Sequence, residues 1–144
     1  MINTEEKLNV HVADIMTKQV HTVDVSDRMA DVRTMMAHNH IRHAPVMKDG
    51  KLVGILSLTD VQRMIFSNTY GDDEAGIDGA ISDMFNAEMI MHKDPETLTF
   101  DDTVRDATNK FVERDFHALP VIKDGELVGI VTTTDILKYI AKVF

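Results

Sequence analysis

Two short segments of the chain combine hydroxyl side chains with a carboxylate at the same spacing. In each, an apolar run typical of a β-strand comes before the hydroxyls, and an apolar pattern with helical spacing follows the carboxylate. Hydroxyls and backbone N–H groups at a helix start can bind phosphate oxygens, and a carboxylate can accept hydrogen bonds from two neighbouring sugar hydroxyls. The combination is typical of a site for a ribose phosphate. The side chains are Ser57, Thr59 and Asp60 in the first segment and Thr132, Thr134 and Asp135 in the second.

A simpler interpretation of the same residues is structural. Thr59 and Thr134 would be helix N-caps, and the following aspartates would complement the helix dipole. A duplicated chain copies helix caps as readily as it copies binding sites, so the duplication itself leaves both interpretations open.

Both segments belong to an internal repeat with an offset of 75 residues. The stretches 45–60 (PVMKDGKLVGILSLTD) and 120–135 (PVIKDGELVGIVTTTD) are identical at 11 of 16 positions. Each copy is predicted to form a short strand, a helix, a β-hairpin with an Asp-Gly turn and a final helix, a β-α-β-β-α unit. The predicted organisation is an N-terminal extension at 1–10, a first unit at 11–67, an acidic glycine-containing linker at 68–82 and a second unit at 83–144.

The composition narrows the classes of function. With 24 acidic against 15 basic residues the net charge is −9, which disfavours nucleic acid as the main partner. The 144 residues contain no cysteine, so disulfides and thiolate chemistry are excluded. No apolar run is long enough to span a membrane and no signal peptide is recognisable, which favours a cytoplasmic protein. We find no phosphate-binding P-loop and no Gly-x-Ser-x-Gly motif, and we predict that the chain is not an enzyme.

Histidines in the first unit have a spacing that invites a metal interpretation. His38, His40 and His43 lie within six residues, but no carboxylate nearby completes a ligand set, and we predict no metal site.

The order of motifs resembles that of a CBS domain, the unit named after cystathionine β-synthase. The tandem arrangement resembles a CBS pair, also called a Bateman module, and the resemblance covers most of the chain. In the first unit it rests on VADIMT at 12–17, HAPV at 43–46, DG at 49–50, LVGI at 52–55 and TD at 59–60, and in the second on LPV at 119–121, DG at 124–125, LVGI at 127–130 and TD at 134–135.

The resemblance implies a fold and a class of function. It implies an α+β fold in which two β-α-β-β-α units pack through their sheets with pseudo-two-fold symmetry. Clefts between the units would bind an adenine nucleotide such as AMP, ADP or ATP, with or without Mg²⁺, and signal to an unidentified regulated protein. It also implies a homodimer and no catalytic cofactor. Two alternatives stay open, namely an S-adenosylmethionine binder and a protein-interaction scaffold with weak or empty sites.

The resemblance also implies roles for particular residues. Asp60 and Asp135 would hold the ribose hydroxyls. The phosphate would face Thr59 and Thr134, together with Ser57 and Thr132. Thr22 and Thr97 would border the nucleotide, and the backbone at His43 and Ala118 would line the adenine edge. A phosphate also needs cationic partners, and the aligned candidates are Arg42 and His117.

The second unit is expected to depart from the pattern at its start. Asp83-Met84-Phe85-Asn86 lacks the Met16-Thr17 pair of the first unit, and aligning Asp83 with Asp14 requires six extra residues before the next strand. We therefore expect the phosphate side of the second site to differ from that of the first.

Overall fold

A computed structural model describes residues 3–69 and 84–144 of the chain. Within them the chain forms two compact units. The first, the central unit, contains His21–Pro95, and the second, the terminal unit, combines Met1–Val20 with Glu96–Phe144. Most of the predicted acidic linker, from residue 70 onward, lies outside the described residues.

The central unit contains a four-stranded sheet in the order β1-β2-β3-β4. Strand β1 is parallel to β2, and the other neighbours are antiparallel. Its elements are β1 (Val23–Asp24), α2 (Met29–His38), β2 (His43–Lys48), β3 (Lys51–Ser57), α3 (Leu58–Thr69), α4 (Ala87–Ile90) and β4 (His92–Lys93).

The terminal unit contains a three-stranded sheet in the order β5-β6-β7, in which β5 is parallel to β6 and β6 antiparallel to β7. Its elements are α1 (Thr4–Leu8), a 3-10 turn (Val12–Asp14), β5 (Leu98–Thr99), α5 (Val104–Glu113), β6 (Ala118–Lys123), β7 (Glu126–Thr132) and α6 (Thr133–Val143). The predicted order of strand, helix, hairpin and helix is thus confirmed in both units, and so is the α+β class.

Each hairpin turns at the predicted Asp-Gly pair. Asp49 and Gly50 have φ of 50° and 77°, and Asp124 and Gly125 have φ of 50° and 81°. Positive φ at both central residues is the geometry that matches the twist of the flanking strands, and aspartate and glycine adopt it at low cost. The turns therefore fix the register in which β3 and β7 lead into the helices behind them.

A separate apolar core stabilises each unit. Fully buried side chains of moderate size fill both cores, and each core includes one residue from the short helical segment that opens a repeat. The central core includes Met29, Met36, Val46, Leu56 and Ala87, and the terminal core includes Leu98, Leu119, Val121, Val131 and Val12.

The compact units do not coincide with the sequence repeats, because the opening segment of each repeat packs with strands of the other. Met16 lies against Gly129, where an added Cβ would come within 2.9 Å of Met16 Cγ. In the same way, an added Cβ at Gly54 would come within 2.8 Å of Met91 Cγ. Glycine at these two positions allows a methionine side chain to lie directly on the strand backbone.

These contacts correct the expectation about the start of the second repeat. Met91-His92, rather than a segment near Asp83, occupies the position of Met16-Thr17, and the offset stays at 75 residues from Val12 and Ala87 onward. The expected six-residue insertion was therefore wrong, and the expected lack of a Met-Thr pair reduces to one difference, a histidine at 92 where the first repeat has a threonine at 17. Aligning the two aspartates ignored the strand pairing, in which His92 lies opposite Ile55 as Thr17 lies opposite Ile130.

The N-terminal extension forms a short helix that packs within the terminal unit. Helix α1 begins with a capping box between Asn3 and Glu6. The Tyr139 hydroxyl donates a 2.5 Å hydrogen bond to the Lys7 carbonyl, and Arg105 Nη2 lies 3.0 Å from Glu5 Oε2. No helix in the described part of the chain has the length and apolar content that crossing a bilayer would need.

Candidate functional site

In the central unit, Asp60 lies in the first turn of α3, directly behind strand β3. The strand ends at Ser57 and the helix begins at Leu58 with no intervening loop. The Ser57 hydroxyl accepts a hydrogen bond from the Asp60 N–H at 3.1 Å. The side chain of Asp60 is 20% exposed, so its carboxylate reaches the surface at the end of the strand.

The terminal unit repeats this arrangement around Asp135. Thr132 ends β7 and is the N-cap of α6. Its hydroxyl accepts from the Asp135 N–H at 3.2 Å, and its own N–H donates to Asp135 Oδ2 at 3.0 Å. The two bonds form a capping box, which fixes the carboxylate beside the first turn of the helix.

The structural interpretation of Thr59 and Thr134 as N-caps was wrong. Both threonines lie one position inside their helices, are exposed, and follow the residue at which the helix begins. The residue that ends each strand has the extended backbone a cap requires, with φ of −107° and ψ of 164° at Thr132. The capping role therefore belongs to Thr132 and to its equivalent, Ser57.

The segment that leads into β2 or β6 lies beside each helix start. The Leu58 N–H donates to the Arg42 carbonyl at 2.7 Å, and the Thr133 N–H donates to the His117 carbonyl at 3.0 Å. Across the hairpins, His43 is the register partner of Ser57, and Ala118 is the partner of Thr132. The backbone at the residues expected to line an adenine edge is thereby brought next to the capping hydroxyls.

Thr22 and Thr97 are placed further away. Each lies immediately before the first strand of its unit, and β2 or β6 separates that strand from the one that leads into the helix. The carbonyl of Thr97 accepts a 2.8 Å hydrogen bond from Lys110 Nζ. These two threonines therefore lie two strands away from the strand that leads into the helix.

Three side chains that were not predicted from the sequence contact the carboxylates. The Thr17 hydroxyl lies 3.4 Å from both carboxylate oxygens of Asp135. At the equivalent place in the central unit, His92 Nε2 lies 2.9 Å from Asp60 Oδ2. Arg63 Nη1 lies 3.6 Å from the other oxygen, Oδ1. The constant offset of 75 residues, followed through the opening segments, would have shown that Thr17 and His92 are equivalent positions, but not that they contact the carboxylates.

The histidines once considered for a metal do not converge. His38 ends α2, His40 has φ of 54° and His43 begins β2. Among residues 3–69 and 84–144, no cluster of three His, Asp or Glu side chains could hold a metal ion.

The arrangement in each unit suits a polyhydroxylated anion. A carboxylate that faces solvent can accept from two adjacent hydroxyl groups. A capping hydroxyl that accepts one hydrogen bond can still donate its own proton, for example to a phosphate oxygen. The helix dipole favours negative charge at the helix start, where the N–H groups of the first residue and of the aspartate already donate within the protein. Each unit therefore places, within one turn of helix, a carboxylate that can accept hydrogen bonds from a diol and a hydroxyl that can donate one to a phosphate.

Comparisons with known proteins identify the family. The CBS domain model matches residues 12–67 and again residues 87–142, with the same offset as the repeat. Protein MJ1225 of Methanocaldococcus jannaschii is 31% identical over 135 residues, which are 92% of this chain and 48% of that protein. The chain therefore spans about half the length of this curated relative.

Solved structures share the fold. The crystal structure of MJ1225 superposes with a TM-score of 0.74 at 29% identity, covering 92% of this chain and 48% of that one. The CBS domain of a membrane protein from Sphaerobacter thermophilus gives 0.81 at 28% identity, covering 94% and 90%. CBSX2 in complex with AMP, a protein of Arabidopsis thaliana, gives 0.75 at 24% identity, covering 93% and 98%. With its model matching both repeats, the chain belongs to the CBS domain family and contains a tandem pair of CBS domains.

Proposed function

We propose that this CBS pair is a regulatory module that binds adenine nucleotides, with Asp60 and Asp135 as acceptors for the ribose hydroxyls. The observation that carries the proposal is the repeated strand end, in which a capping hydroxyl and a solvent-facing carboxylate lie three residues apart in both units. The capping role explains the hydroxyls. The capping box also uses Oδ2 of Asp135, and the carboxylate of Asp60 contacts His92 and Arg63, so ribose recognition would be an additional use of two partly exposed carboxylates.

The phosphate would lie over the start of α3 or α6. Thr59 and Thr134 are exposed in the first helical turn, and Ser57 and Thr132 can donate their hydroxyl protons to it. Arg42 and His117 supply the cationic side chains, because their backbones are hydrogen-bonded to the first residue of each helix. The local donors would act against the repulsion that a net charge of −9 exerts on any anion.

The adenine would lie along the backbone at His43 or Ala118, bordered by Thr22 or Thr97. Main-chain N–H and C=O groups can read the polar edge of a base without any particular side chain, so His43 and Ala118 can serve the same role. Support from a relative is limited to the fold: CBSX2, whose structure contains AMP, has the same architecture at 24% identity.

The regulatory part of the proposal is a shift in population. A ligand that binds one conformation of the pair better than another favours that conformation, and a partner protein responds. The proportions of AMP, ADP and ATP vary with energy supply, so binding of these nucleotides would make the module an energy sensor. The module would not itself catalyse a reaction.

Self-association as a homodimer is part of the same proposal. Leu137 on α6 is 64% exposed and Ile140 lies on the same helix with 39% exposure, so the helix carries apolar surface that a second copy could cover. Sedimentation velocity tests this directly: a monomer at all concentrations would contradict it.

The experiment that tests the ligand is thermal unfolding with AMP, ADP, ATP, S-adenosylmethionine and GTP, each with and without Mg²⁺, followed by calorimetry on any ligand that stabilises. A ligand that binds only the native state raises the melting temperature by mass action. We expect stabilisation by at least one adenine nucleotide and none by GTP. A shift with S-adenosylmethionine alone would replace the nucleotide by that ligand. No shift with any of them would favour the scaffold alternative.

A further inference from the structure

The two carboxylates have different partners, although they occupy equivalent positions. Asp135 receives hydrogen bonds from Thr132 and Thr17, both of which are uncharged. The carboxylate of Asp60 instead lies between His92 at 2.9 Å and Arg63 at 3.6 Å. The equivalence of His92 and Thr17 rests on the common offset, on the matching strand pairing and on the preceding methionine that packs on a glycine.

We propose that His92 makes binding of the ribose diol by Asp60 dependent on pH, whereas the diol contact with Asp135, whose carboxylate is bonded by Thr132 and Thr17, lacks this dependence. The inference rests on the proposed function, since it assumes that a ribose diol binds these carboxylates. It concerns a residue that differs between the two units, because the position equivalent to His92 is Thr17.

The proposal follows from competition for one oxygen atom. A diol that uses both oxygens of Asp60 must displace His92 from Oδ2. When the imidazole is neutral, the contact is a hydrogen bond to a carboxylate. When the imidazole is protonated, both partners are charged, and the attraction between opposite charges strengthens the contact. Histidine changes its charge between about pH 5 and 8, so acidification strengthens the competitor and weakens the ligand.

The charged groups around the contact support this direction. In the described part of the chain, His92 contacts Asp60 on α3, whose other oxygen lies near Arg63; Lys93 follows His92 on β4, and the residue opposite it on β3 is the apolar Ile55. Arg63 keeps its charge throughout this pH range.

The expected size is modest because His92 is 71% exposed. Exposed ion pairs contribute little free energy, which corresponds to an affinity change of about twofold to fivefold. Because the ligand displaces a protonated imidazole, ligand binding at Asp60 should also release protons in this pH range. Calorimetry in two buffers of different ionisation enthalpy measures that release.

Adenosine is the probe of choice, because a nucleotide phosphate titrates near pH 6 and would obscure the effect. Asp135→Asn weakens the Asp135 site so that the tighter binding reports on the Asp60 site, and Asp60→Asn does the reverse. In the first background we expect adenosine affinity to fall about twofold to fivefold from about pH 8 to pH 5. In the second background we expect no change over the same range.

Reciprocal exchange identifies the residue responsible. His92→Thr should abolish the pH dependence at Asp60, and Thr17→His should create one at Asp135. His21→Thr, which changes an exposed histidine of the same unit outside the site, should leave the dependence intact.

Two outcomes would overturn the inference in different ways. Adenosine binding at Asp60 that does not vary with pH, or varies equally after His92→Thr, refutes the role of His92 and leaves the proposed function standing. No binding of adenosine or AMP to either single-site protein refutes the proposed function, and the inference fails with it.

Discussion

Replacing Asp135 by asparagine separates a ligand-binding role from a capping role. The chain offers a matched control in Asp106, which is the capping-box partner of Thr103 at the start of α5. The Thr103 N–H donates to Asp106 Oδ2 at 2.9 Å, and the Asp106 N–H donates to the Thr103 hydroxyl at 3.2 Å. Asp135 has the same two bonds with Thr132, at 3.0 and 3.2 Å. Both aspartates thus have the same structural role in the same unit.

The effect on stability should be equal in the two variants. Asparagine keeps an oxygen that accepts the cap N–H, but it removes a negative charge from the first turn of a helix. That charge contributes about 0.3–1 kcal/mol to the free energy of unfolding at an exposed helix start. We expect both Asp135→Asn and Asp106→Asn to lose stability within this range, as measured by urea unfolding.

The effect on AMP affinity should differ. The amide of asparagine has one acceptor oxygen, so one ribose hydroxyl loses its partner and the other loses a charge-assisted bond. The cost is about 1–2 kcal/mol, or a factor of about 5 to 30 in affinity. We expect calorimetry on the Asp60→Asn background to show this loss for Asp135→Asn and wild-type affinity for Asp106→Asn. Equal affinity in both variants would mean that Asp135 only caps the helix.

Two further predictions concern stability. Gly129→Ala should lower the free energy of unfolding by about 1–3 kcal/mol through overpacking, because the new Cβ would meet Met16; adding Met16→Ala should recover part of the loss, and strictly additive effects would contradict that contact. The hydroxyl and N–H of Ser26 bind Asp24 and lower the pKa of its carboxyl. Because a lowered pKa stabilises the fold fully above its ordinary value of about 3.9 and loses this effect as the pH falls through the lowered pKa, Ser26→Ala should reduce stability at neutral pH and should have no effect at a pH below both values. Unfolding curves of the unaltered protein and of Ser26→Ala, at neutral pH and in acid, test this. A stability difference between the two proteins that persists in acid would contradict it.

The hairpins and the repeat could be predicted because their determinants are local. Asp49-Gly50 and Asp124-Gly125 specify their turns through backbone preferences alone. The turn then fixes the register in which the two strands of each hairpin pair. The final helix of each unit begins where the second of these strands ends. The family motifs rest on these same segments, which is why the fold class was predictable as well.

The exchange of opening segments could not be predicted in this way. Nothing near Met16 indicates that it packs on Gly129, which belongs to the other repeat, and the apolar spacing of the opening segment would suit either sheet. The contacts of Thr17 and His92 with the two carboxylates depend on that exchange, so they were missed along with it.

The position of the caps was missed for a different reason. Hydroxyls occur at two places before each carboxylate, and the sequence does not indicate which of them ends the strand. In the structure the helix starts without a loop, which assigns the cap to Ser57 and Thr132 and leaves Thr59 and Thr134 exposed in the first turn.

The claim that the two aspartates each hold a ribose diol is tested most directly by removing one hydroxyl from the ligand. Calorimetry with AMP and with 2′-deoxy-AMP on the unaltered protein compares the same base, phosphate and protein. The account predicts that the deoxy ligand binds more weakly by about tenfold, the cost of one hydrogen bond to a charged acceptor. Equal affinity for both ligands would contradict the assignment of Asp60 and Asp135 as ribose-binding residues.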